Sequence, residues 1–157
     1  HISTSPITGG HANTGIELVI WGDSPAMSHF WPACGTQPWW DWLEDTGQDY
    51  FLNKMTSSQH REFDGEGTLR EAKRDILRWR REGNLSQEEA RDAWTDIEHT
   101  DRAGSKDHVI DRLGDIPCFR DDYWERAQHR LKPVLDRFWA EVWRPFIQAM
   151  KDRGGRV

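Results

Sequence analysis

Thr68-Leu-Arg-Glu-Ala-Lys-Arg-Asp-Ile-Leu-Arg-Trp79 is the stretch whose conformation decides the architecture. As a helix it opens on a capping box, Thr68 with Glu71 three residues later, and Leu69, Ala72, Ile76, Leu77 and Trp79 then recur at helical spacing until Gly83. As a strand, Arg70 to Arg74 would bond sideways to a neighbour and the side chains would alternate at period two. The cap and the apolar spacing predict the helix. Ser86 with Glu89 repeats the device, and Ala90, Ala93, Trp94 and Ile97 form the next stripe, so residues 87 to about 99 make a second helix antiparallel to the first.

Toward the C-terminus, Ser105 caps a short helix carrying Val109, Ile110 and Leu113, stopped by Gly114 and Pro117. Apolar residues from Trp124 to Met150 then repeat at three and four, which predicts one amphipathic helix from Arg120 to Lys151. At 1.5 Å per residue it would run about 48 Å, longer than a globule of this size is wide, so a bend is expected at Pro133 or Pro145. Toward the N-terminus, Pro38 opens a short helix with Trp39, Trp40, Trp42 and Leu43, and Tyr50, Phe51 and Leu52 follow Gly47. Ile16, Leu18 and Ile20 alternate with Val19 and Trp21, a strand that needs a partner from residues 2–8 or 61–63. Residues 1–15 read as an irregular lead or linker remnant, and 16–153 as a single globular domain. The fold class expected is mainly α, an irregular helical bundle with a kinked long C-terminal helix and a minor β element near residues 16–21.

The 157 residues carry a net charge of −6 and ten Trp. The acidic balance argues against sequence-independent capture of DNA, which needs a surplus of Lys and Arg, though it permits a local basic groove. No apolar run approaches the roughly 20 residues that cross a bilayer, which predicts a soluble chain without a membrane span. Cys34 and Cys118 suit either one bridge or two buried thiols, which leaves the compartment open. The first residue is His1 and not Met, which reads as a processed product, an excised domain or a chain lacking residues in front.

Glu62-Phe-Asp-Gly-Glu-Gly-Thr-Leu-Arg-Glu-Ala-Lys73 resembles, over a dozen residues, the acidic residue followed by Glu-x-Lys of restriction-endonuclease-fold toxin domains in bacterial polymorphic toxins. The resemblance implies Asp64, Glu71 and Lys73 as catalytic residues, with Asp64 and Glu71 holding a divalent metal such as Mg²⁺ and nucleic acid as substrate. It also implies export as part of a larger chain. That family sets Glu-x-Lys on a strand, where the two side chains point the same way, whereas a helix turns them about 200° apart.

Other constellations compete. His99, Asp101, Asp107 and His108, with His60 as an outlier, are residue types that ligate Zn, Mn or Fe, but no two His stand at i, i+4 on a clear helix. Cys34, just before the Trp-rich helix, is an alternative nucleophile if a His lies near it. Asp121 and Asp122 suit a helix start, and Glu125 with His129 an i, i+4 pair on its flank. Trp31, Trp39, Trp40 and Trp42 cannot all point inward from one short helix, so at least one ring is expected at a surface, where it anchors a protein partner or stacks on a sugar or base. Two function classes result: an effector or toxin-type domain acting as a metal-dependent nuclease, and a non-catalytic Trp-rich helical module that binds a protein.

Overall fold

A computed structural model describes residues 2–8, 14–22 and 26–153. The chain is mainly α, and it divides into two compact units where the sequence reading expects one domain: unit 1 is His1–Arg61 with Leu131–Val157, and unit 2 is Glu62–Arg130.

Unit 1 contains an antiparallel sheet of order β1-β2-β3, with β1 at Ile2–Thr8, β2 at Thr14–Ile20 and β3 at Met27–Trp31. Residues 2–8, expected to be an irregular lead, are therefore a strand: β1 pairs Ile2 with Ile20 and Thr8 with Thr14, and so satisfies one edge of β2. On the other edge Ile16, Leu18 and Ile20 stand opposite Trp31, His29 and Met27. Alternation turns Ile16, Leu18, Met27 and Trp31 inward onto α1 (Trp39–Asp45), α2 (Gln48–Met55) and the C-terminal helical run.

That run is shorter than expected. It starts at Pro133 as α6 (Pro133–Phe138), passes through a π turn at Trp139–Trp143, and continues as α7 (Arg144–Asp152). Lys132 is held extended (φ −59°, ψ 128°), as a residue before proline prefers, so Pro133 begins the helix instead of bending it. Upstream, residues 117–131 form 3₁₀ turns at Pro117–Phe119 and Tyr123–Arg126 and the strand β5 (His129–Leu131). The π turn lies next to Pro145, whose missing N–H and bulky ring disturb the ladder; the Arg144 N–H reaches back five residues to the Trp139 carbonyl.

Unit 2 is built on the hairpin of α3 (Gly65–Glu82) and α4 (Gln87–Glu98), with α5 (Lys106–Gly114) completing its core around Ile76, Ile97, Leu113 and Phe119. The 68–79 stretch is helical, but α3 begins four residues earlier than its capping box suggests. Asp64 is the N-cap, its Oδ1 accepting the Gly67 N–H at 2.9 Å. Thr68 is instead buried inside the first turn, donating to the Asp64 carbonyl and accepting the Gln128 N–H. Gly83, at φ 80°, ends α3 in a Schellman pattern, with Asn84 N–H on the Trp79 carbonyl at 2.9 Å. Both halves of the Ser86–Glu89 capping box form, and Ser105 caps α5. β4 (Arg61–Phe63) pairs with β5, and Glu62 and Arg130, the first and last residues of unit 2, form an ion pair of 2.9 Å.

Candidate functional site

The residues singled out by the Glu-x-Lys spacing are given to separate partners. Asp64 caps α3, Glu71 pairs with Arg74 at 3.0 Å, and Lys73 reaches Glu98 at 3.2 Å. Asp64 and Glu71 stand seven residues apart, about 10 Å along the helix axis, so their carboxylates do not converge on one ion. This donor set does not fit a shared divalent metal. Among the described residues no three His, Cys, Asp or Glu side chains gather in a way that could hold a metal.

His99, Asp101, Asp107 and His108 are exposed at the end of α4 and the start of α5. The Asp101 carboxylate accepts the Ala103 N–H and the Ser105 hydroxyl accepts the His108 N–H, ordinary turn and cap bonds. His60 belongs to unit 1, where it is buried with Nε2 at 3.0 Å from Asp49. Cys34 sits in the core of unit 1, and burial pushes its thiol up, the opposite of what an attacking thiolate requires. The Asp121–Arg130 segment is no helix start; Asp122 pairs with Arg126 at 2.6 Å.

The Trp cluster is also placed differently from expectation. Trp31 is only 4% exposed and stacks toward Phe51, and Trp39 and Trp42 are half-buried against the same core. Trp40 meets Trp39 edge-on at 5.4 Å. The more exposed rings are Trp21, Phe30, Tyr50 and Trp124.

A more developed surface lies on the seam between α3 and α4. Two hollows, of about 340 and 280 Å³, meet at Leu77 and Trp94. Leu69, Ile76, Ala90 and Ile97 supply the floor, and Leu77 is 44% exposed over it. Arg70, Arg74 and Arg102 line one hollow and Arg80 and Arg91 the other. The helical period explains the rim: Arg70, Lys73, Arg74 and Leu77 fall on one flank of α3, beside the stripe of Leu69, Ala72 and Ile76 that faces the core. Arg102 is brought in by close approach at Gly65, where a Cβ would stand 2.5 Å from the Arg102 carbonyl oxygen.

One polar cluster is closed on itself within this groove. Glu98 Oε1 accepts from the Trp94 indole N–H at 2.9 Å and from the Lys73 ammonium at 3.2 Å, and that ammonium lies 4.5 Å from the Trp94 ring centre. The indole bond first, and Lys73 second, hold the Glu98 carboxyl below the usual carboxylate range. By contrast Arg70, Arg80, Arg91 and Arg102 form no ion pair among the described residues.

The model of a phage family, Phage_phiTE_072, matches residues 16–150. The chain belongs to this phage family. Neither a curated protein nor a solved structure matches it.

In the phage protein the groove was legible only in fragments. Lys73 reads as part of the Glu-x-Lys spacing, and Leu77 reads as core because it fits the apolar stripe. The signal that could have found the groove is Leu77 standing one step outside the Leu69, Ala72, Ile76 row with arginines on both sides. Nothing local announces Arg102, which reaches the rim through a loop.

Proposed function

We propose that this phage protein is a binding module and that the α3–α4 groove is the face it presents to another macromolecule. The supporting observation is the pairing of an apolar floor with Arg70, Arg80, Arg91 and Arg102, which form no ion pair among the described residues, in a chain whose net charge is −6. Exposed apolar area flanked by unpaired guanidinium groups is the composition of a recognition patch, since arginine and aromatic residues carry much of the energy of interfaces. A photo-crosslinking residue in place of Leu77, exposed to an extract of the bacterial host, tests the reading. The expected result is one dominant adduct that excess wild-type protein competes away and an Arg70→Glu/Arg102→Glu variant does not. An adduct pattern equally competed by both proteins would reject the groove as the site.

The metal-dependent nuclease reading makes a separate demand. Plasmid and RNA incubated with Mg²⁺ or Mn²⁺ should be cut by the wild type and spared by Glu71→Ala if that reading holds. The separate partners of Asp64, Glu71 and Lys73 favour binding over it.

A further inference from the structure

Resting on the reading of the groove as a binding face, we infer that its occupant is an acidic amphipathic helix of a partner protein, lying along α3. The shape comes first. From Glu66 to Arg80 the lined part of α3 spans about 21 Å, roughly four turns of a docked helix, and the apolar floor runs its length through Leu77 and Trp94. Both walls are helices whose backbone groups are bonded within themselves, so no strand edge is offered and recognition falls to side chains. A helix laid in such a trough presents apolar groups at i, i+3 or i+4, and i+7, which match an elongated floor.

Charge fixes the rest of the occupant. Arg70 and Arg102 stand at one end and Arg80 and Arg91 at the other, each without an ion-pair partner among the described residues. Asp and Glu on the flanks of a docked helix would meet both ends, giving the orientation and register that complementary charge supplies. A nucleic-acid strand suits the groove less well. The Lys73 ammonium sits against the Trp94 ring and the indole N–H is tied to Glu98, so base stacking on that ring is hindered. A polyphosphate would also leave the half-exposed Leu77 without an apolar partner.

The test uses the isotope-labelled full chain and four probes. These are a synthetic helix of about four turns with Leu along one face and Glu on both flanks, its Glu→Lys counterpart, a short DNA duplex and a single-stranded RNA. The acidic helix should shift the Trp94 indole and Leu77 methyl resonances saturably. Arg70→Glu/Arg102→Glu, checked for native circular dichroism, should weaken that binding by roughly tenfold or more, and the Lys-bearing helix should regain affinity for this variant. Nucleic acid shifting those resonances where the acidic helix does not would overturn this inference and leave the groove standing as a binding face. Shifts from no probe, or from the acidic helix only at α1, would overturn both.

Discussion

Unit 1 buries a ring in its core, and unit 2 buries a carboxylate beside the half-exposed Arg78. Phe51 is fully buried, 4.2 Å from Trp143 between ring centres, 5.4 Å from Trp139 and 6.1 Å from Trp31. Asp75 is only 4% exposed, bonded to the Arg126 guanidinium and, at 2.5 Å, to Arg78. Arg126 in turn lies over Trp79 and Phe119, about 5 Å from each ring. The first arrangement gains stability from apolar area without strict geometry. The second is stable only while every charge keeps its partner. Their failures under mutation should therefore differ in kind.

The largest effect is expected at Phe51→Ala, about 3–5 kcal/mol of destabilisation from lost transfer energy and the cavity left behind. Denaturant unfolding measures the total, and native-state amide exchange should show the loss mainly in β2 and α2; an equal loss in α3 and α4 would break the comparison. Asp75→Ala follows at about 2 kcal/mol, because it leaves the largely buried Arg126 guanidinium with Asp122 as its remaining carboxylate partner. The sharper form is the double change Asp75→Leu/Arg126→Met, which should cost less than Asp75→Ala alone; a cost equal to or above the single change would show that packing, not the weakened charge pairing, dominates unit 2. Ser86→Ala removes one half of an exposed capping box and should cost about 1 kcal/mol, read as faster exchange in the first turn of α4.

The smallest effect concerns pH, in unit 1. The Arg61 guanidinium first, and His60 after it, hold the Asp49 carboxyl below its ordinary value of 3.8. A depressed acid stabilises the folded chain above its unfolded pKa, and that contribution disappears as pH falls through the folded value. Asp49→Asn should therefore flatten part of the decline in unfolding midpoint below pH 3.8, and an unchanged acid limb would remove Asp49 from the account.

The comparison also shows which features sequence can carry. Ser86 with Glu89, Ser105 and the stripe of Leu69, Ala72 and Ile76 act within one or two turns, and each was legible. Thr68 with Glu71 has the spacing of a cap, yet the helix starts at Asp64, because two helix-start signals lie four residues apart and Gln128, sixty residues on, takes the Thr68 hydroxyl. The strand at residues 2–8 was readable only as one of two candidate partners for β2, since Pro6 near its middle argues against a strand although Ile and Thr favour one. The periodic run from Trp124 misled for a similar reason. Its first third is claimed by Arg126 reaching Asp75 fifty-one residues away, an ion pair that a local pattern cannot express. Leu77 shows the limit for the site: one position fits both core and groove, and only the seam with α4 tells them apart.

The chain enters and leaves unit 2 through neighbouring strands, with Glu62 and Arg130 paired across them, while in unit 1 the Lys132 N–H bonds the His60 carbonyl at 3.0 Å. Residues 62–130 are thus threaded like a cassette whose two ends exit side by side. Residues 62–130 could therefore be shortened, exchanged or removed at two adjacent chain positions, so this segment and the rest of the chain are free to change at different speeds.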